Sequence, residues 1–97
     1  MLKNAYDQGE GTVYSLSDYQ SYSVLILVAT IWANQYNTTG SFTISNATTL
    51  ASSNIGITSS NPNGASAIIF LSGITSSSTY KFSKGNTNPY GITIYGM

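Results

Sequence analysis

The sequence predicts an all-β fold, an antiparallel β-sandwich of jelly-roll type with about seven short strands. Three observations lead there. Apolar and polar residues alternate with a period of two in run after run, β-branched and aromatic side chains fill those runs, and clusters of Gly, Asn and Pro separate them. The expected layout is one sandwich domain over residues 11–97, preceded by an extension or linker over residues 1–10.

Taken in order, Thr12 to Leu16 is a weak alternating run. Val24 to Ala33 is the longest apolar stretch, with Val24, Ile26, Val28, Thr30 and Trp32 on one face and Leu25, Leu27, Ala29, Ile31 and Ala33 on the other. Its length allows a helix, but its β-branched density and its Ser, Thr and Asn flanks favour a strand. Asn37-Thr38-Thr39-Gly40 breaks the chain, and Ser41-Phe42-Thr43-Ile44-Ser45 alternates cleanly. Ile55 to Thr58 follows, closed by Asn61-Pro62-Asn63-Gly64, the strongest turn signal in the chain. Ala67-Ile68-Ile69-Phe70-Leu71 is again apolar on both sides. Thr79 to Ser83 and Gly91 to Tyr95 complete the set, separated by turns at Lys84-Gly85-Asn86 and Asn88-Pro89-Tyr90-Gly91.

A strand that is apolar on both faces needs cover on both. In a two-sheet sandwich the core covers one face. A subunit partner, an extra helix or a local crossover of the chain must cover the other. A homo-oligomer is one such cover, and in that case Leu25, Leu27, Ile31, Ile68 and Phe70 are the expected interface residues. A second pattern is the recurrence of Gly56-Ile57-Thr58 as Gly73-Ile74-Thr75 and again as Gly91-Ile92-Thr93. Stacked coils would turn it into rows containing Thr43, Thr58, Thr75 and Thr93, the basis of an ice-binding or adhesive solenoid. In a chain this rich in Gly, Ser and Thr, coincidence between strand starts is the better account.

Composition narrows the function. Three lysines and three acidic residues are the whole charge inventory, the net charge is zero, and Arg, His and Cys are absent. Three isolated lysines neutralise few phosphates, so no nucleic-acid partner is expected. Without cysteine there is no disulfide and no thiolate metal site. Polar residues follow Met1-Leu2-Lys3 at once, unlike a signal peptide, and Val24 to Ala33 is too short for a membrane span of about 20 residues. No membrane insertion is expected.

The chemistry of an enzyme is also thin. General acid–base work recruits His or paired carboxylates, and the only carboxylates are Asp7, Glu10 and Asp18. Asp7 and Glu10 are too few to imply a Ca²⁺ site. Ser83 and Lys84, as strand neighbours, point to opposite faces and make a poor dyad. No P-loop or dinucleotide fingerprint occurs. No catalytic residue, no metal and no cofactor is therefore expected. Asn37-Thr38-Thr39 and Asn46-Ala47-Thr48 fit the glycosylation pattern, which such a composition produces by chance. Eight tyrosines are the remaining resource, since Tyr and Trp offer stacking faces for sugar rings and Asn and Thr offer hydrogen bonds. Trp32, Asn34, Tyr36 and Asn37 form the densest such cluster, and Asn86, Asn88 and Tyr90 a second. These seven are the candidate ligand-binding residues.

Leu16-Ser17-Asp18-Tyr19, followed by Tyr22 to Val28, resembles the opening of the small β-sandwich modules that close bacteriophage tail-fibre and minor tail proteins. The ending Ile92-Thr93-Ile94-Tyr95-Gly96-Met97 resembles their closing strand. The similarity spans Gly11 to Met97 and is carried by its two ends. It implies a virion protein, often trimeric, that contacts other virion proteins and the host surface, and it carries over no catalytic residue. The expected function is attachment to host-surface polysaccharide as a fibre-tip or receptor-binding module; the alternative is a capsid decoration or head-fibre protein with a purely architectural role.

Overall fold

Alternating strands bury one face each by packing in layers, and this chain does so in two antiparallel sheets. The computed structural model describes residues 1–6, 11–31, 38–57, 65–84 and 90–97. Nine strands run through them: β1 (Lys3–Tyr6), β2 (Tyr14–Ser15), β3 (Leu25–Ile31), β4 (Thr38–Ser45), β5 (Thr48–Ser53), β6 (Ile55–Ile57), β7 (Ala65–Ser72), β8 (Thr79–Lys84) and β9 (Tyr90–Gly96). A short 3-10 turn, Ser17–Tyr19, leads from β2 towards β3. The first sheet has the order β1-β9-β3-β7-β5, the second β2-β8-β4-β6.

The pairing has a simple logic. β1 pairs with β9, β2 with β8, β3 with β7 and β4 with β6, all antiparallel. This is one long hairpin rolled into two layers, the jelly-roll arrangement. The sandwich expected from the alternation is therefore present. β5 is an addition to it, an edge strand on β7 inserted between β4 and β6. A solenoid is excluded, because Thr43 lies on β4 of one sheet, Thr93 on β9 of the other and Thr75 in a turn, while Thr58 falls outside the described residues.

Residues 3–6, expected as part of an extension, form the outer strand β1 instead. Lys3 pairs with Ile94, whose side chain is buried between the sheets. Lys3 Nζ donates to Tyr80 Oη at 2.9 Å and lies 4.7 Å from the Tyr14 ring centroid. An inward lysine over two stacked tyrosines closes this side of the sandwich and blunts its edge against further pairing.

The core follows from register. Leu25, Leu27, Ala29 and Ile31 of β3 face inward with Ala67, Ile69 and Leu71 of β7 and Tyr90, Ile92 and Ile94 of β9. Tyr80 and Phe82 of β8 meet them from the second sheet. Aromatic rings run through the middle, with Phe82 5.0 Å from Phe42 and 5.1 Å from Tyr90 between centroids. Gly40 on β4 makes room for this packing, since a Cβ there would stand 2.7 Å from the tip of the Phe82 ring and 3.0 Å from Ile31 Cδ1. Gly40→Ala is expected to cost about 1–3 kcal/mol through overpacking. Chemical denaturation measures this, and pairing the change with Phe82→Leu should recover part of the loss.

One end of the sandwich is laced by side chains. Ser78 is fully buried. Its hydroxyl accepts the Thr75 N–H at 2.8 Å and donates to the Asn46 carbonyl, while its own carbonyl accepts the Leu16 N–H at 2.9 Å. Asn46 takes a left-handed conformation, φ 58°, which Asn tolerates, and its side-chain amide donates to the Ser77 carbonyl at 3.1 Å. Three connections are thereby fastened together. At the opposite end, Ile31 pairs with Ala65 and with Tyr90, and Gly40 with both Ile55 and Lys84.

Candidate functional site

The two outer faces of the sandwich differ in chemistry, and the register explains how. On the four-stranded sheet, Phe42, Ile44, Tyr80 and Phe82 point inward, so their strand neighbours point out. Ser41 pairs with Ser83, Thr43 with Lys81, and Ser45 with Thr79, which pairs on its other side with Ser15. This outer face is hydroxyl-bearing with one lysine. Beside it, Thr39, Ser41, Asn54, Ser83 and Lys84 line a shallow recess of about 320 Å³, floored by Gly40 and Ile55. The Lys84 ammonium lies 5.8 Å from the Tyr90 ring centroid, which holds its head group at the recess wall.

The outer face of the five-stranded sheet carries an apolar patch over its middle strands, bordered by Thr and Ser. Across it, Tyr95, Ile26, Phe70 and Ala51 lie in one row, and Thr93, Val28, Ile68 and Ser53 in the next. Ile68 and Phe70 are each 37% exposed and Tyr95 is 42% exposed. Ala51, Ser52, Ser53, Ile68 and Phe70 line a groove of about 220 Å³ along the β5 side. Leu50, at a register shift in β5, is 54% exposed beside it. A hydroxyl pair, Thr30 with Ser66 at 3.2 Å, borders the apolar rows at one end.

The expected site residues divide. Leu25, Leu27 and Ile31 are fully buried and face the second sheet, so they are core and not interface. Ile68 and Phe70 do lie on the outer face, and their true neighbours are Ile26, Val28 and Tyr95. The two halves of the expected interface sit on opposite sides of one sheet. Tyr90 is also corrected: it is 2% exposed, its ring packs on Phe82, and it offers no stacking face to a ligand. Trp32, Asn34, Tyr36, Asn37, Asn86 and Asn88 lie outside the described residues, as do Asp7 and Glu10. Asp18 stands exposed in the 3-10 turn. Among the described residues no group of three or more His, Cys, Asp or Glu could hold a metal, and no helix is long and apolar enough to cross a membrane.

Fold and surfaces together define the class: a jelly-roll sandwich with an apolar patch on one outer face and hydroxyls on the other. Comparison with known proteins finds no matching family model, no matching curated protein and no matching solved structure.

Proposed function

We propose that this chain is a bacteriophage virion module of the tail-fibre-tip or receptor-binding kind, assembling with copies of itself and attaching to host-surface glycan. The observation that carries the reading is the contrast between the outer faces. An apolar patch suits docking to protein, whereas a face of Ser and Thr with Lys81, beside a recess holding Asn54, suits the hydroxyl groups of a polysaccharide. The recess bounded by Thr39, Ser41, Asn54 and Ser83 is concave and of about 320 Å³, close to the lower size of a small-ligand site. The resemblance of the segments Leu16 to Val28 and Ile92 to Met97 to phage tail modules supplies the virion setting.

Glycan-array and cell-adsorption assays test this. Binding to one saccharide class is expected, and Ser83→Glu, a change at an exposed position, is expected to weaken it roughly tenfold by removing a hydrogen bond and intruding on the recess. A protein that ignores glycans and host cells alike would overturn the receptor-binding role. The apolar patch favours a second reading, a decoration or head-fibre protein that contacts only other virion subunits. Deleting the gene separates the two, because an architectural protein leaves adsorption intact.

A further inference from the structure

The recess beside the hydroxyl-bearing face has a charge bias that points to its ligand. We infer that it takes an anionic group, a carboxylate or a phosphate, borne on a polyhydroxylated chain, so that the glycan bound is an acidic polysaccharide. The inference rests on the glycan-attachment reading above and names the ligand class of that same recess.

Three observations lead to it. The first is sign. The strands of the second sheet hold Lys81 and Lys84 and no carboxylate. Among the described residues the only acidic side chain is Asp18, in the 3-10 turn after β2. That turn lies at the Ser78 end of the sandwich, since the Leu16 N–H donates to the Ser78 carbonyl. Lys84 closes β8 at the other end, about 20 Å from Ser78 at about 3.3 Å per residue. This is more than twice the Debye length of about 8 Å at physiological salt, so Asp18 does not offset the lysines. The second observation is placement. Lys81 points outward beside Thr43, and Ser83 follows on the same face. Lys84 comes from the opposite parity and is half-buried, with its ammonium 5.8 Å from the Tyr90 ring centroid. The two lysines bracket Ser83 along β8, with Cα atoms about 10 Å apart. Packing on the ring restricts Lys84 before any ligand arrives, which lowers the entropy lost on binding. The third is complementarity. An anionic oxygen only accepts hydrogen bonds, so it needs donors. The hydroxyls of Thr39, Ser41 and Ser83, the Asn54 amide and the Lys84 ammonium supply them around one recess. The same hydroxyls also accept, which serves the neighbouring sugar hydroxyls. Nucleic acid fits this surface less well. Two lysines neutralise few phosphates, and the outward side chains described on this sheet include no aromatic ring on which a base could stack.

Binding of the full chain to immobilised polymers tests this. Polygalacturonate offers carboxylates, poly(glycerol phosphate) offers phosphates, dextran offers neither, and single-stranded DNA offers phosphates with bases. At least one of the two acidic polyols is expected to bind about tenfold more tightly than dextran, and to weaken several-fold as salt rises from about 50 to about 500 mM. Which of the two binds separates a carboxylate ligand from a phosphate one. Lys81→Gln and Lys84→Gln are each expected to weaken binding about threefold, and together about tenfold, as exposed charge pairs do. Lys84→Arg, which keeps the charge, should stay near wild type. The sharpest comparison is at the exposed Ser83. Ser83→Gln and Ser83→Glu remove the same hydroxyl and add nearly the same volume, so a neutral ligand feels both alike, whereas an anion is expected to lose about threefold more with Glu. Thr49→Glu, exposed on β5 of the other sheet, adds the same charge elsewhere and should leave binding unchanged. Circular dichroism on each variant checks that the fold survives. Dextran bound as tightly as the acidic polyols, equal losses with Ser83→Gln and Ser83→Glu, or a neutral glycan as the sole array hit would overturn the acidic class and leave glycan attachment standing. Single-stranded DNA bound as tightly as the acidic polyols would overturn it as well, by showing attraction to any polyanion. Failure to bind any polysaccharide would overturn both readings.

Discussion

Replacing Phe82 with alanine is expected to lower the free energy of unfolding by about 3–5 kcal/mol, a large part of the roughly 5–15 kcal/mol available to a domain of this size. Phe82 is 2% exposed and stands between Phe42 and Tyr90, at ring-centroid distances of 5.0 and 5.1 Å. Its ring tip also fills the space left by the missing side chain of Gly40. Truncation therefore removes apolar burial, two ring contacts and the filler above a glycine at once. Relaxation around the hole is limited, because β4 and β8 are tied by the pairing of Gly40 with Lys84, Phe42 with Phe82 and Ile44 with Tyr80. Urea titration followed by circular dichroism measures the effect through the shift of the midpoint at constant slope. A loss under about 1 kcal/mol would mean that these rings do not form the centre of the core. Phe82→Leu, which keeps more of the volume, should fall between the two.

How much of this was legible beforehand depends on the kind of strand. Ser41 to Ser45 and Thr79 to Ser83 alternate strictly because one side meets the core and the other meets water, and both were readable. β1 was not. Lys3-Asn4-Ala5-Tyr6 has no apolar alternation, and it becomes a strand because β9 offers an open edge and Tyr14 and Tyr80 receive the lysine. β5 was not readable either. All six of its side chains are exposed, and the register shift between Thr49 and Ala51 breaks whatever period it has.

The outer face is the more instructive case. In β3 and β7 both parities are apolar, so period alone says that two covers are needed but not which set faces which. The hydroxyls decide it. Thr30 shares its parity with Ile26 and Val28, and Ser66 and Ser72 share theirs with Ile68 and Phe70. The set Leu25, Leu27, Ala29 and Ile31 contains no polar residue and belongs to the core. Pairing Leu25 with Phe70 as one interface ignored this, and mixed the two sides of a single sheet. The aromatic and amide cluster at Trp32 to Asn37 raises a different question, since its chemistry was readable but its position depends on segments outside the described residues.

Ser78→Ala is expected to cost about 1–3 kcal/mol, more than loss of an exposed serine would. The hydroxyl removed is the acceptor for the Thr75 N–H and the donor to the Asn46 carbonyl, so one substitution strands two backbone groups where the serine itself is fully buried. Asn46 and Thr75 are themselves exposed, so water takes up part of the lost bonding. The Leu16 N–H keeps its bond to the Ser78 carbonyl, so the strand register should survive while the turns at Asn46 and Thr75 loosen. Hydrogen exchange at the Thr75 amide should speed up before global unfolding does. Ser78 is remote in role from both outer faces, whose residues belong to other positions of the register. At a temperature well below its lowered midpoint, the variant is therefore expected to keep wild-type glycan binding. Ser83→Glu should do the reverse, losing binding with little change in melting. Equal effects of both kinds of variant on stability and on binding would mean that the core and the outer face are not separable in this fold.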